Sequence, residues 1–297
     1  PKLALNNGDQ MPQFGLGTWQ ATNADEFKAS LRAAFDCGYR LIDTAHIYQN
    51  EHVIGEVLEE YIKAGKLKRS DVFITTKLPF YAMTPAEADA LIPKQLASLR
   101  TDYVDLYLVH TPMSLKQKLD RESLTIHDDF EHIDIWRVLE KWHKKGALKA
   151  LGLSNYSARQ IESLYKLAEV KPANLQVECY LYWPQHELFD LTKKLNMTLT
   201  AYGPLGSPGR KAFRPEMDAP DAYPMEDPLV VEVAKKYGKT PAQILLRQML
   251  QRGIATIPKS TNEKRLKENA TIFDFELNAE EMAKFEKIDK RVRLFDF

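Results

Sequence analysis

The chain has 297 residues with an ordinary apolar fraction of 44%, and 41 basic residues balance 41 acidic ones, so the formal net charge is zero. This balance argues against a strongly basic nucleic-acid-binding protein and against a polybasic membrane anchor. The two cysteines, Cys37 and Cys179, form no C-x-x-C pair, so neither a zinc site nor a redox dithiol is indicated. No apolar run approaches the ~18 residues of a membrane span, and no signal peptide is recognised, so we expect a cytoplasmic protein.

The predicted elements begin with a hairpin, because Asn7-Gly8 separates two short apolar pieces. Strand-like and helix-like segments then alternate. Strands are predicted at 14–17, 39–45, 72–78, 104–110, 150–154, 175–180, 198–202 and 254–258. Helices are predicted at 25–36, 51–64, 85–99, 132–145, 157–167, 186–195, 227–237, 240–252, 261–269 and 278–290. The last helix begins at Asn278 with Glu281 three residues later, which is a capping-box pattern.

Eight strands that alternate with helices predict parallel pairing through crossover connections. Several strands are apolar on both faces, as expected when helices cover the outside and side chains fill the inside. We therefore predict an α/β fold, a (β/α)₈ TIM barrel with a short N-terminal β-hairpin, in which residues 1–297 form a single domain. The alternative is a doubly wound open sheet, but no G-x-G-x-x-G follows the first strand at 14–17.

Two long loops are predicted, at 111–131 and at 203–226, and the second is rich in glycine and proline. Loops of this length are uncommon unless they cover a ligand or contact a partner. Both follow strands, so both should lie at the carboxyl ends of the strands, where barrels of this type hold their active sites.

Three successive predicted strands carry ionisable residues at or near their ends, namely Asp43, Lys77 and His110, and Tyr48 follows the first of these strands. Each residue alone has a structural explanation, as a cap, a packing residue or a solvated charge, but together they indicate one site. A nearby ammonium can lower the ordinary tyrosine pKa of ~10 by about 1–3 units, and an aspartate would keep that ammonium charged. Tyr48 would then be the better proton donor, with a neutral His110 holding the carbonyl. The set predicts carbonyl reduction, with hydride supplied by a cofactor.

Five segments in order along the chain, 36–51, 151–156, 176–179, 201–207 and 257–269, carry a wider resemblance. They resemble the signature motifs of the aldo-keto reductases, in particular the aldose reductase-like members, and the similarity extends over nearly the whole chain. The resemblance implies a monomeric (β/α)₈ oxidoreductase that reduces a small-molecule carbonyl substrate with NADPH and releases NADP+.

The resemblance also implies roles for individual residues. Tyr48 would be the proton donor, Asp43 and Lys77 would tune it, and His110 would orient the carbonyl. The residues implied to bind the cofactor are Thr18, Trp19, Asp43, Ser154, Asn155, Gln176, Tyr202, Leu205, Ser207, Lys259, Ser260, Thr261, Arg265, Glu268 and Asn269. Those implied to bind the substrate are Trp19, Tyr48, Phe80, His110 and Thr111.

The choice between NADPH and NADH has a physical argument as well. A 2′-phosphate requires cationic, donor-rich ligands, and Lys259, Ser260 and Arg265 supply two charges and a hydroxyl. The fork of Arg265 can hold a phosphate through two bonds. We therefore expect NADPH rather than NADH, although the same cations on their own would be ordinary surface charges.

Several alternatives stay open at this point. The barrel could bind the cofactor in a regulatory or structural role, or Lys77 could form a Schiff base in a lyase. The apolar tail at 292–297 could reach the pocket, as in the family, or be free. The acidic and histidine-rich stretch at 127–132 lacks metal-site spacing, so no metal is predicted there.

Overall fold

The secondary structure follows the order predicted from the sequence, in a computed structural model that describes residues 1–114, 131–213, 215 and 223–295. The strands are β1 (Lys2–Ala4), β2 (Gln10–Pro12), β3 (Leu16–Gly17), β4 (Leu41–Asp43), β5 (Phe73–Leu78), β6 (Val104–Val109), β7 (Leu148–Ser154), β8 (Asn174–Glu178), β9 (Thr198–Tyr202) and β10 (Ala255–Thr256). The helices are α1 (Ala24–Asp36), α2 (Glu51–Lys63), α3 (Pro85–Ser98), α4 (His132–Lys144), α5 (Ala158–Leu167), α6 (His186–Lys194), α7 (Arg210–Phe213), α8 (Pro228–Tyr237), α9 (Pro241–Gln251), α10 (Glu263–Ala270) and α11 (Ala279–Glu286).

The N-terminal hairpin is confirmed. Strands β1 and β2 pair antiparallel, with Leu3 opposite Met11. Leu5 and Met11 are buried against side chains from the first residues of the barrel strands, including Leu41 and Phe73. The hairpin therefore covers the end of the barrel at which the strands begin and leaves the opposite end for the site.

The eight remaining strands form one parallel sheet in the order β10-β9-β8-β7-β6-β5-β4-β3, so each strand lies beside its neighbour in the chain. Backbone hydrogen bonds between residues 13–17 and 256–259, which we call the seam, join the two outer strands. The Gly15 amide donates to the Thr256 carbonyl at 2.9 Å, and the Thr256 amide donates to Gln13 at 2.9 Å. A sheet closed on itself is a (β/α)₈ barrel, so the barrel prediction is confirmed and the open-sheet alternative is wrong.

Gly17 is required at the seam for a steric reason. A Cβ atom at this position would lie 2.4 Å from the backbone carbonyl oxygen of Ile257, closer than any side chain tolerates. The absent side chain lets the two edges of the sheet approach closely enough to bond.

The helices begin where their caps predict. Thr84 and Thr240 accept hydrogen bonds from the third residue of α3 and α9, and each precedes a proline in the first turn. Such caps satisfy amides that have no partner within the helix. The apolar faces pack on the outside of the sheet, where Trp136 is fully buried and its indole donates to the Val170 carbonyl at 2.9 Å. No described helix combines the length and the apolarity needed to cross a membrane.

Some boundaries differ from the prediction. Several strands are shorter than predicted, since only Ala255–Thr256 of 254–258 is a strand. Helix α11 ends at Glu286 rather than at 290, because the chain then turns so that the Val292 amide bonds to the Tyr182 carbonyl. The predicted loop at 203–226 contains α7 and a 3-10 turn at Pro224–Glu226, and its residues 214 and 216–222 lie outside the described ranges, as do residues 115–130 of the other loop.

A buried arginine explains the short helix in the 203–226 segment. Arg210 is 1% exposed, and its guanidinium donates to the Gly206 carbonyl at 2.6 Å. The same group lies 4.3 Å from the centre of the Tyr223 ring. These contacts hold the chain close to the barrel after β9.

Candidate active site

The four predicted catalytic residues meet at the carboxyl ends of three neighbouring strands. Asp43 is the last residue of β4, Lys77 lies near the end of β5, and His110 directly follows β6. Tyr48 ends a 3-10 turn that follows β4. The parallel register of β4, β5 and β6 brings these ends together.

The turn that carries Tyr48 is held by a buried amide. Asn50 is 2% exposed; its side-chain nitrogen donates to the Thr18 carbonyl at 2.9 Å, and its oxygen accepts from the Thr44 hydroxyl at 2.8 Å. Asn50 thus fixes the loop after β4 to the end of β3. Nothing in the sequence predicts this role for Asn50, although the residue lies within the 36–51 segment.

Lys77 and Asp43 form a buried ion pair. The Lys77 ammonium donates to Asp43 Oδ1 at 2.6 Å and to the Thr44 carbonyl at 2.9 Å. Both residues are at most 2% exposed. Burial raises the pKa of Asp43 and lowers the pKa of Lys77, and in each case the charge of the partner opposes the change. Neither group can change its charge without leaving the other uncompensated.

Tyr48 lies within reach of the same ammonium, with Lys77 Nζ 3.4 Å from Tyr48 Oη. An ammonium can only donate, so the tyrosine oxygen accepts, and its own O–H is left to point elsewhere. The prediction of an unusually acidic Tyr48 is wrong in direction: burial, followed by the charge of Asp43, raises the pKa of Tyr48 well above its ordinary value. Asp43 offsets part of the effect of the Lys77 charge on Tyr48, so burial decides the balance in the resting site and Tyr48 keeps its proton at neutral pH.

His110 faces Tyr48, with ring centroids 5.8 Å apart and the planes 77° from parallel. Burial, and then the charge of Lys77, lowers the pKa of His110 well below its ordinary value. The imidazole is therefore neutral at pH 7, as predicted, and can donate one N–H. Its Nδ1 atom is buried without a hydrogen-bond partner among the described residues.

The predicted nicotinamide-binding residues form a network next to these four. Gln176 donates to Asp43 Oδ2 at 2.7 Å, and Asn155 donates to the His110 carbonyl at 2.9 Å. The Tyr202 hydroxyl donates to Asn155 Oδ1 at 2.8 Å. Ser154 lies within this network, since Asn155 Nδ2 is 3.3 Å from its hydroxyl oxygen. Thr18 is buried on the other side, where its hydroxyl donates to the Asp43 carbonyl at 2.8 Å.

The remaining predicted cofactor residues follow β9 and β10, two paired strands, and so lie at the same end of the barrel. Leu205 and Ser207 lie in the segment after β9. The group that follows β10 consists of Lys259, Ser260, Thr261, Arg265, Glu268 and Asn269.

Two cations in that group fit a phosphate. Lys259 and Arg265 are exposed, and within residues 1–114, 131–213, 215 and 223–295 neither forms an ion pair. By contrast, Lys264 and Lys267 on the same helix pair with Glu268 and Glu263. Cations without carboxylate partners beside a helix N-terminus suit an anion.

The predicted substrate residues Trp19, Phe80 and Thr111 follow β3, β5 and β6, so they lie at the carboxyl ends of these strands. Trp19 is 39% exposed, and the Phe80 ring packs against Tyr81 at a centroid distance of 5.5 Å. Thr111 is 5% exposed, and its hydroxyl accepts from the Met113 amide at 3.2 Å. The tail is not free: the Phe295 ring lies 5.8 Å from that of Trp19. Residue 297 lies outside the described ranges.

A buried carboxylate, that of Glu51, lies behind Lys77, and the sequence does not predict its role. Glu51 Oε1 accepts from the Thr76 hydroxyl at 2.5 Å and from Gln95 Nε2 at 2.9 Å. Gln95 Nε2 also lies 3.2 Å from the Lys77 carbonyl oxygen, so the network supports the strand that carries the lysine. Lys77 itself is fully buried and already paired, which disfavours the Schiff-base alternative.

No cluster of three or more potential metal ligands is present in the described parts of the chain. The stretch singled out at 127–132 lies largely outside these parts. His132, which is described, forms a 2.7 Å hydrogen bond with the Tyr156 hydroxyl.

Comparison with known proteins identifies the arrangement. The model of the Aldo/keto reductase family matches residues 13–290. The chain belongs to this family. It is 40% identical to aldo-keto reductase family 1 member A1-A of Danio rerio and 39% identical to member A1 of Bos taurus, in each case over 98% of this chain and 90% of the relative. The solved aldose reductase of Schistosoma japonicum is 37% identical, with a TM-score of 0.90 over 99% of this chain and 94% of that one. The aldo-keto reductases are oxidoreductases, so this membership supports an oxidoreductase function for the chain.

Proposed function

We propose that this aldo-keto reductase transfers a hydride from NADPH to the carbonyl carbon of an aldehyde or ketone, with Tyr48 as the proton donor. The observation that carries the proposal is the position of the Lys77 ammonium. It contacts Asp43 at 2.6 Å and Tyr48 at 3.4 Å, and a neutral His110 faces Tyr48. Proton donation to oxygen is the part of carbonyl reduction that a protein must supply.

The proton step follows from the hydrogen-bond directions. Lys77 donates to the Tyr48 oxygen, so the Tyr48 proton is available to a carbonyl oxygen in the pocket. As that oxygen gains charge, Tyr48 transfers its proton, and the adjacent ammonium stabilises the phenolate that forms. The raised pKa of Tyr48 keeps the donor protonated until then. His110, being neutral, donates an N–H to the same oxygen and fixes its position.

The residues present fit NADPH, the reduced nicotinamide adenine dinucleotide phosphate, which would supply the hydride when bound. Ser154, Asn155 and Gln176 offer an amide-binding set at one end of the site, and Tyr202 offers a ring on which the nicotinamide can stack. After β10, Lys259 and Arg265, which form no ion pair among the residues that the structure describes, offer two cations for a 2′-phosphate. NADH has no 2′-phosphate and would leave these two cations without an anionic partner, so we propose NADPH.

Replacing Tyr48 with phenylalanine tests the proton donor. We expect kcat for an aromatic aldehyde to fall by about 10²–10⁴-fold, the range for loss of a general acid, while the Kd of NADPH stays within about twofold. Turnover is followed by loss of the reduced nicotinamide absorbance, and NADPH binding by fluorescence titration. Tyr165→Phe is the control, because its hydroxyl bonds to the Leu195 carbonyl outside the site. Retention of most of the activity by Tyr48→Phe would refute the assigned role.

A further inference from the structure

The C-terminal tail returns from α11 to the open end of the barrel. The Val292 amide donates to the Tyr182 carbonyl at 2.9 Å, and the Tyr180 hydroxyl donates to the Val292 carbonyl at 2.7 Å. The Lys290 ammonium lies 4.1 Å from the centre of the Tyr182 ring. These contacts tie the tail to the segment that follows β8.

One carboxylate holds the end of this tail. Glu178 Oε1 accepts from the Leu294 amide at 2.7 Å, and Oε2 accepts from the Phe295 amide at 3.0 Å. Glu178 is 3% exposed and is the last residue of β8, two residues after Gln176. A buried carboxylate is costly unless donors satisfy it, and these two successive amides supply one donor to each oxygen. We call this arrangement the tail latch.

The tail latch sets the position of an aromatic ring at the site. The Phe295 ring is 4% exposed and lies 5.9 Å from the Tyr202 ring, in addition to its contact with Trp19. A Cβ atom on Gly203 would lie 3.8 Å from this ring, so the segment after β9 packs against it as well. Phe295 therefore forms a wall between one predicted substrate residue and the ring proposed to stack on nicotinamide.

We propose that Glu178 is a specificity-determining residue that acts by positioning Phe295, an inference that rests on the proposed reductase function. A bulky, rigid aldehyde that enters beside Trp19 and Tyr202 meets the Phe295 ring, and moving the tail backbone that carries this ring breaks both bonds to Glu178. A small aldehyde meets no such barrier. Glu178 thus discriminates against wide substrates without touching them.

Hydrogen exchange tests the tail latch independently of activity. In Glu178→Gln, one carboxylate oxygen becomes an NH₂ group, which cannot accept from either amide. We expect exchange at the Leu294 and Phe295 amides to become about tenfold faster or more, measured by mass spectrometry on the C-terminal peptide. Tyr180→Phe is the control, since it removes a tail bond at Val292 and leaves both carboxylate bonds in place. Equal exchange in wild type and Glu178→Gln would overturn the latch.

Kinetics test the role in specificity. We expect Glu178→Gln and Phe295→Ala each to raise the ratio of kcat/KM for 2-naphthaldehyde to that for propanal by about fivefold or more, mainly through KM. In the double variant Glu178→Gln adds nothing further, because it acts through Phe295. A ratio unchanged in Glu178→Gln despite faster exchange, or a full additional effect in the double variant, would refute the role. Failure of the wild-type protein to reduce any aldehyde would instead refute the proposed reductase function, and the exchange result would still decide the latch.

Discussion

Replacing Lys77 with methionine should destabilise the protein strongly, because it removes one partner of a fully buried ion pair. Lys77 is 0% exposed and donates to Asp43 at 2.6 Å and to the Thr44 carbonyl at 2.9 Å. In the variant, the charged Asp43 carboxylate keeps the hydrogen bond from the Gln176 amide at 2.7 Å but has lost its ammonium partner. Breaking a buried pair in this way costs about 3–5 kcal/mol, against a total of about 5–15 kcal/mol for a typical domain.

A second substitution should recover part of this loss. In Lys77→Met/Asp43→Asn the buried charge is gone, and the new amide oxygen still accepts from Gln176. What remains are neutral groups that have lost or lack a partner, namely the Thr44 carbonyl and the new amide NH₂. An unsatisfied neutral group costs about 1–3 kcal/mol, less than an uncompensated buried charge. We therefore expect the double variant to be more stable than the single variant, by urea unfolding followed with circular dichroism. A double variant less stable than Lys77→Met would refute the reasoning.

The pH dependence gives a further check on the same variant. Burial raises the pKa of Asp43 above 3.8 even with Lys77 present, and loss of the ammonium raises it further. A group whose pKa is higher in the folded than in the unfolded state binds its proton more tightly when folded, so its stabilisation is lost as pH rises through the folded-state pKa. The deficit of Lys77→Met relative to wild type should thus be larger at about pH 8 than at about pH 5. A deficit that grows on acidification would contradict this sign.

Three other outcomes are expected. Arg265→Gln should raise the Kd of NADPH about tenfold or more and that of NADH by less than about threefold, because only NADPH carries the 2′-phosphate. Lys264→Gln on the same helix should change neither Kd, and fluorescence titration with each nucleotide measures both. Because the pKa of His110 lies well below its ordinary value, kcat/KM should stay flat from about pH 6 to 8, and a midpoint near the ordinary ~6.5 would show a different state. Gly17→Ala places a Cβ 2.4 Å from a backbone oxygen and should cost about 1–3 kcal/mol or more in urea unfolding, whereas Gly209→Ala, in open space, should cost far less.

The sequence predicts the barrel and the four central residues well because both depend on local patterns. Each strand is a short apolar run, and polar residues at the ends of parallel strands must share one edge of the sheet. Asp43, Lys77 and His110 satisfy this rule, so their meeting follows from the fold alone. Residues 1–297 as a single domain, the monomeric state and the cytoplasmic location stay predictions.

What the sequence does not reveal depends on distances between remote residues. Glu178 and Phe295 are 117 positions apart, and no local pattern marks their contact. The direction of the Tyr48 pKa shift is predicted wrongly because it depends first on the burial of Tyr48 and then on the charge of Asp43, and the sequence shows neither the burial nor the distance. Asn50 lay inside a recognised segment, but its role as a tie between β3 and β4 needed coordinates.

The seam has a consequence for how the nucleotide affects the whole barrel. Few backbone bonds cross it, whereas β6 and β7 are in register over five residue pairs. Trp19 follows the segment 13–17 on one side of the seam, and Ser260 follows the segment 256–259 on the other side. A dinucleotide that contacts both sides of the seam would add a connection at a junction that few backbone bonds hold. We therefore expect bound NADPH to slow amide exchange along 13–17 and 256–259 more than in β6 and β7. Cofactor binding would then also stabilise the closure of the barrel.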